Sequence, residues 1–292
     1  MSRVAYVNGL YVPFGEASVH VEDRGFQFAD GVYEVWAVTG GRLGDADGHF
    51  ERLERSLREL SIDAPMSRAA LQVVLKETVR RNRVRDGLVY LQVTRGRPSL
   101  RQRPRDLTFP DPWAPPSVVV TARTTNRAAA AARAEQGIGV VTTPETRWAR
   151  CDIKTVGLLP NLLAKQQAKS AGAVEAWFVD DMGLVTEGAS SNAWIVDRDG
   201  VLRTRDTQAN ILRGITRKTL ISVMARDGVK VEERPFSVEE ARQAREAFIT
   251  GAGTLVMPVV KIDGAKVGDG TVGPVAKRLR QLYIEEARRT AL

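Results

Sequence analysis

Residues Arg147 to Val196 constrain this chain more than any other stretch. Lys154 follows a short polar-apolar alternation, Arg150-Cys151-Asp152-Ile153, and precedes a helix-like run from Leu158 to Ala171. It therefore stands at a strand-to-helix junction and not on a solvated helix face. Further on, Thr186-Glu187-Gly188-Ala189-Ser190-Ser191-Asn192 reads as a small-residue turn with one carboxylate, ending in an apolar strand, Ala193 to Val196. A lysine at the end of an element and a carboxylate in a tight Gly/Ser turn are what a Schiff-base cofactor site needs. Such chemistry requires an amine free near neutral pH. It also requires a fixed carboxylate to hold a proton on a pyridine nitrogen. Each group alone also fits an ordinary surface lysine and an ordinary turn; the pair at this spacing is the specific signal.

The chain has 292 residues, which at about 150 per domain suggests two domains. The split falls into residues 1–123, a connector at 124–136 that is rich in Ala and Arg, and residues 137–292. A formal charge of +8 favours anionic small molecules or a polyanion, and it equally fits a solvated basic surface. Cys151 is the only cysteine, so there is no internal disulfide and no thiolate metal site. With only His20 and His49, a histidine-based metal site is not expected either. Met1 to Gly9 shows no charged-then-apolar leader, and no run approaches the ~18 apolar residues of a membrane span. The expectation is a soluble, cytoplasmic protein without a membrane partner.

Asn8-Gly9 between Val4–Val7 and Leu10–Val12 predicts a hairpin. The glycines and aspartates of Val21 to Gly31 suggest a turn feeding a strand from Val32 to Val38. Asp47 to Ile62 predicts a helix capped by Asp47, with Phe50, Leu53, Leu57 and Leu60 on one face and Arg52 near its start. A second helix is expected over Ser67 to Arg83, with strands at Gly87 to Thr94 and Val118 to Ala122. Between those strands, Arg95 to Arg105 holds five arginines, and Phe109 to Pro116 breaks any regular element. In the second half, strands are expected at Ile138–Thr142, Gly200–Thr204 and Val259–Ile262, and a terminal helix at Pro274–Arg289. Gly214-Ile215-Thr216 opens a helix to Asp227 and offers backbone N–H groups and a hydroxyl to an anion.

Val21-Glu22-Asp23-Arg24-Gly25-Phe26-Gln27-Phe28-Ala29-Asp30-Gly31-Val32-Tyr33-Glu34-Val35, Arg150-Cys151-Asp152-Ile153-Lys154 and Thr186–Asn192 together resemble class IV aminotransferases. Within that family they look most like D-amino-acid transaminases. The resemblance implies a two-domain α/β protein of fold type IV, with a small N-terminal α/β domain and a larger C-terminal pseudo-barrel domain. It implies pyridoxal 5'-phosphate as cofactor, bound covalently at Lys154, and a homodimer that completes its sites across an interface. Glu187 would take the pyridine nitrogen and Leu212 would pack on the ring. Arg52, Ile215 and Thr216 would hold the phosphate, helped by the Gly251-Ala252 turn and by Ser190 of the Thr186–Asn192 motif. Ala252 stands where relatives carry a hydroxyl residue. Tyr33 inherits a place in the substrate pocket, although a lone strand tyrosine also fits core packing. D-amino-acid transaminases grip the substrate carboxylate with an Arg-x-His pair. Here the nearest match is Arg101-Gln102-Arg103, without histidine.

The implied activity is ping-pong transfer of an amino group from a D-amino acid such as D-alanine to a 2-oxo acid such as 2-oxoglutarate. Loss of the Arg-x-His pair keeps an (R)-selective amine transaminase open as an alternative. A branched-chain aminotransferase and an aminodeoxychorismate lyase would use the same lysine. A basic nucleic-acid-binding protein is the reading from another class, but the Arg95–Arg105 run lacks interleaved aromatics and no binding motif accompanies it.

Overall fold

In a computed structural model, the structure describes residues 3–99, 103, 105–110, 114–208 and 210–292. The chain forms two compact units. The first comprises Met1–Asn126, Ile153–Gly157 and Ala291–Leu292; the second comprises Arg127–Asp152 and Leu158–Thr290.

The first unit contains strands β1 (Val4–Val7), β2 (Leu10–Pro13), β3 (Gly31–Thr39), β4 (Arg42–Leu43), β5 (Gly87–Thr94) and β6 (Ser117–Thr124), and helices α1 (Arg24–Phe28), α2 (Ala46–Glu59) and α3 (Arg68–Arg81). The strands form one sheet in the order β2-β1-β6-β5-β3-β4, with every pairing antiparallel. The β1–β2 turn has positive φ at both Asn8 and Gly9, the conformation a two-residue hairpin of this hand demands. Strand alternation sends Val32, Glu34, Trp36 and Val38 to one face, where apolar residues of β5 and β6 join them. Phe50, Leu53 and Leu57 of α2 and Leu71, Leu75 and Val79 of α3 cover that face. Each such side chain contributes about 1.5–3 kcal/mol on burial. Two expectations need correction here. The segment before β3 holds the short helix α1, capped by the Asp23 carboxylate accepting from Gly25 N. Helix α2 is preceded by Asp45, at positive φ and without a side-chain cap bond, and Asp47 lies inside its first turn.

The second unit contains α4 (Arg127–Gln136), β7 (Ile138–Pro144), α5 (Leu159–Ser170), β8 (Glu175–Val179), β9 (Val185–Gly188), β10 (Asn192–Val196), β11 (Leu202–Thr204), α6 (Ile215–Arg226), β12 (Val231–Glu233), α7 (Val238–Gln243), β13 (Glu246–Gly251), β14 (Leu255–Ile262), β15 (Ala265–Lys266) and α8 (Pro274–Arg289). The sheet runs β12-β11-β10-β13-β14-β7-β8-β9, with β15 beside β14. Strand β9 is five places from β10 along this order, yet only residues 189–191 join them. A flat sheet would separate the two by about 24 Å at ~4.8 Å per strand. The connection spans at most ~14 Å. The six strands must therefore curl into a barrel-like sheet. Trp177, Val185, Ile195, Phe236, Ile249 and Met257 share one core cluster of this unit. Trp194 and Phe248 stack at 5.4 Å in a second cluster, with Leu220 and Met224 of α6 and Leu279 and Tyr283 of α8. Strands β8, β9 and β10 are buried on both faces, so their sequences show no alternation. This corrects the Thr186–Asn192 turn: Thr186, Glu187 and Gly188 belong to β9, and only residues 189–191 turn.

Candidate active site

In the first unit, Lys154 lies on a short extended segment paired to the start of β3. Tyr33 N donates to Lys154 O at 3.0 Å, Val156 N donates to Gly31 O at 3.1 Å, and Val32 bridges Thr155. Ile153, buried in the core beneath, anchors the segment. These contacts fix the lysine backbone, and the side chain follows. Lys154 Nζ lies 4.2 Å from the centroid of the Tyr33 ring, a favourable cation–π distance. The Tyr33 ring packs in turn on Tyr90, centroids 5.7 Å apart. Burial, with the nearby Tyr33, pushes the Tyr90 hydroxyl up to about 12, and it donates to Gln92 Oε1 at 2.7 Å.

Arg52 sits on the buried side of α2. Its Nε donates to Glu34 Oε1 at 2.7 Å and its Nη2 to Glu34 Oε2 at 2.8 Å. His49 Nδ1 approaches the same Oε2 at 2.7 Å. Glu34, His49 and Arg52 are all buried, so Arg52 is not part of the solvated face of α2. Burial works against charge on Glu34. The Arg52 charge and hydrogen bonds, with His49 beside it, outweigh that and hold the carboxyl far below the usual carboxylate range. His49 is pushed below its ordinary value chiefly by burial. One turn after Arg52, Ser56 Oγ accepts from Lys154 N at 3.4 Å. Helix α2 therefore carries both the candidate phosphate ligand and a support for the lysine segment. Of the candidate carboxylate ligands, Arg103 is exposed and Arg101 lies outside the described residues.

In the second unit, Glu187 is buried and held by three donors. Asn192 Nδ2 reaches its Oε2 at 3.0 Å, Leu212 N reaches its Oε1 at 3.1 Å, and Arg147 Nη1 pairs with Oε1. Arg147 also grips Glu145, with Nε–Oε1 at 2.9 Å and Nη2–Oε2 at 2.6 Å. Burial alone would lower the Arg147 pKa; the two carboxylates raise it instead. Asn192 also donates to Leu212 O at 3.0 Å, which ties Leu212 to the carboxylate from both sides. Ile215 and Thr216 open α6, whose N-cap Gly214 offers no side chain to its first-turn N–H groups. Across the β10–β13 ladder, Asn192 faces Thr250, the residue before Gly251 and Ala252. A Cβ on Gly251 would stand 3.3 Å from Ser190 O, so these two expected ligands are neighbours. The Ser190 hydroxyl itself donates to Glu175 Oε2 at 2.7 Å.

These groups suit pyridoxal phosphate on chemical grounds. The first unit offers a fixed amine beside an aromatic ring; the second, by itself, offers an oriented carboxylate and a helix N-terminus without a side-chain cap. Thr254 Oγ1, in the turn after Gly251, is buried and has no hydrogen-bond partner among the described residues. Glu34, His49 and Arg147 went unassigned at the sequence level, and Asn192 received no role of its own. Glu34 and Asn192 lie inside the Val21–Val35 and Thr186–Asn192 motifs and Arg147 opens the Arg147–Val196 stretch, but no local pattern gave any of them a role. Among the described residues no group of His, Cys, Asp and Glu could hold a metal ion, and no helix is long and apolar enough to cross a membrane.

The family model for amino-transferase class IV matches residues 31–262. A D-alanine aminotransferase from Listeria monocytogenes is 39% identical over 96% of this chain and 94% of its own length. One from Bacillus licheniformis is 40% identical over 94% and 93%. The crystal structure of a branched-chain amino acid aminotransferase from Escherichia coli superposes with a TM-score of 0.88 at 26% identity, covering 98% of this chain and 95% of that one. The fold expected from the resemblance, a mixed α/β architecture with a smaller sheet and a curled larger one, is the fold observed.

Proposed function

The chain belongs to the class IV aminotransferase family, and from that premise we propose that it transfers an amino group from a D-amino acid, such as D-alanine, to a 2-oxo acid. Curated relatives at 39–40% identity over nearly the full length, each named D-alanine aminotransferase, support the D-amino-acid reading. They do not favour the amine, branched-chain, lyase or nucleic-acid alternatives. The observation that carries the reading is the Lys154 amine, fixed against Tyr33 by the pairing of its segment to β3.

Bound pyridoxal phosphate supplies an aldehyde that accepts the amino group and a ring that accepts electrons from the substrate Cα. Lys154 anchors it at rest. Once free, Lys154 Nζ takes the proton from the substrate Cα and is the group that returns one. Tyr33, packed against Nζ, limits where that amine can swing and lines the substrate side. Glu187, oriented by Asn192, Leu212 N and Arg147, would hold a proton on the pyridine nitrogen. Arg52, the N-terminus of α6 at Ile215 and Thr216, and the Gly251-Ala252 turn with Ser190 would hold the phosphate, and Leu212 would pack on the ring. Arg101 and Arg103 are the candidates for the substrate carboxylate.

The enzyme is proposed to act as a homodimer in the cytoplasm. The leucines of α5 support the dimer: Leu159, Leu162 and Leu163 are each more than 60% exposed. The lone, free Cys151 suits a reducing compartment.

The visible absorption of purified protein tests this reading. The expected result is a cofactor band that D-alanine bleaches, that L-leucine leaves in place, and that is absent from Lys154→Ala. A band that survives Lys154→Ala sinks the lysine assignment. Bleaching by L-leucine and not by D-alanine sinks the D-amino-acid reading.

A further inference from the structure

Two buried arginines share one aspartate in the first unit, outside the groups assigned so far. Arg95 is 1% exposed and Arg24 is 4% exposed. Arg95 grips Asp30 bidentately, Nε–Oδ2 at 2.7 Å and Nη2–Oδ1 at 3.0 Å. Arg24 Nε reaches the same Oδ2 at 2.8 Å. Such an arrangement costs desolvation energy. What it holds suggests why it is kept.

Both legs of the loop between β5 and β6 are tied to this cluster. On the outgoing leg, Arg24 N donates to Gly96 O at 3.0 Å. On the return leg, Arg24 Nη1 donates to Asp106 O at 2.7 Å and Nη2 to Leu107 O at 3.4 Å. The Arg95 guanidinium lies 3.7 Å over the Phe109 ring, and that of Arg105 lies 5.1 Å over Phe28. Arg95 is braced from behind by Ser61 O at 2.8 Å and Leu60 O at 2.7 Å. The stretch between the legs carries Arg101 and Arg103. Asp30 directly precedes Gly31, whose carbonyl accepts from Val156 N two residues past Lys154. The cluster that ties down the arginine loop is thus one residue from the strand that seats the reactive lysine.

We infer that Asp30, Arg24 and Arg95 are positioning residues for substrate-carboxylate binding: they tie down the two legs, at Gly96 and at Asp106–Phe109, of the loop whose sequence carries Arg101 and Arg103, whichever subunit's lysine that loop serves. This inference rests on the proposed transaminase reading. Loop arginines can discriminate a carboxylate only if the loop has a fixed base. A displacement of about 1 Å takes a guanidinium out of the roughly 2.7–2.9 Å range of a charge-assisted hydrogen bond, which weakens its hold on a carboxylate.

The test compares holoenzyme with Arg24→Met, which leaves Asp30 paired to Arg95, and with Phe109→Ala, which loosens the return leg alone. Three quantities are read: the D-alanine concentration that half-saturates bleaching of the cofactor band, the dissociation constant of pyridoxal phosphate, and the rate of tryptic cleavage after Arg101 and Arg105, which are not followed by proline. In Arg24→Met the half-saturating concentration is expected to rise about tenfold or more. The maximal bleaching rate and cofactor affinity stay within about twofold, cleavage accelerates, and Phe109→Ala moves the same way by less. An unchanged half-saturation overturns the inference. So does a parallel loss of cofactor affinity, which would show a general structural role. If the wild type does not respond to D-alanine at all, the transaminase reading fails instead. Cleavage at equal rates in wild type and Arg24→Met then overturns the tethering by itself.

Discussion

At the scale of single residues, the buried Glu34 is the clearest case of a side chain whose value lies in its neighbours. It sits on the core face of β3, between valine and tryptophan, where a carboxylate alone would be expelled. Arg52 and His49 make the position tolerable, and Glu34 in turn sets the direction of the Arg52 guanidinium. Glu34→Gln leaves Arg52 buried without its counter-charge and is expected to cost about 3–5 kcal/mol, measured by urea unfolding. The pH dependence has a definite sign. The folded pKa of Glu34 lies below its unfolded value of about 4.3. Its contribution is therefore fully present above that unfolded value and is lost as pH falls toward the folded one. The gap between wild type and Glu34→Gln should narrow as pH drops below ~4.5. A gap that stays constant down to strongly acidic pH would mean that the ion pair does not carry the effect. Lys154, Glu187 and Tyr33 stand out in the sequence as candidates because each lies in a contiguous motif whose residue types suggest a role. Glu34, His49 and Arg147 do not, because their partners lie 15, 18 or 40 positions away and meet only after folding.

At the scale of elements, α6 matters through how closely its start approaches β10. A Cβ added to the N-cap Gly214 would stand 2.0 Å from Asn192 Oδ1, a distance no real contact allows. Gly214 has an ordinary negative φ, so backbone freedom is not the reason for glycine here. Gly214→Ala must push the Asn192 amide off Glu187 and off Leu212 O. We expect a stability loss of about 1–3 kcal/mol and weaker retention of pyridoxal phosphate, read by urea unfolding and by cofactor titration of the apoprotein. Asn192→Ala in the Gly214→Ala background should add little further loss, since both changes remove the same bonds; full additivity would sink this account. The same elements show where pattern reading works. Helix α8 and strand β5 match their expected bounds, one through Pro274 at its first turn and the other through strict alternation. Strand β14 begins at Leu255, four residues before its expected start. Strand β8 went unseen, and β9 was read as a turn. Both are buried on two faces, so neither the alternation nor the polarity that marks a half-buried strand is present. The Gly and Ser residues that look like loop chemistry are there because the curled sheet turns from β9 into β10 within three residues.

At the scale of the whole molecule, the open question is what covers the outer side of α5. Ala164 and Ala168 face a buried cluster with Ala176 and Phe178, so the inner side of this helix is satisfied. Leu159, Leu162 and Leu163, at i, i+3 and i+4, form a stripe on water, 67%, 61% and 65% exposed. Isolated exposed leucines mean little, but three at helical spacing form a continuous apolar face. A stable interface needs about 800 Å² per partner, more than one stripe provides, so these leucines would be its apolar centre and other surface its rim. In the proposed homodimer, Leu162→Glu with Leu163→Glu places carboxylates in that centre and is expected to convert a particle of twice the chain mass into one of single mass, measured by light scattering. Both side chains point away from the cores, so the monomer should still fold and keep a far-ultraviolet spectrum like that of the wild type. The functional consequence follows from the chemistry assigned to the loop arginines. If Arg101 and Arg103 reach a neighbouring subunit's substrate, the monomer should lose most of its D-alanine turnover, and mixing it with Lys154→Ala chains should restore little while the mutated stripe prevents pairing. A double variant that remains dimeric removes α5 from the interface. A true monomer with undiminished turnover shows instead that each chain binds its substrate carboxylate by itself.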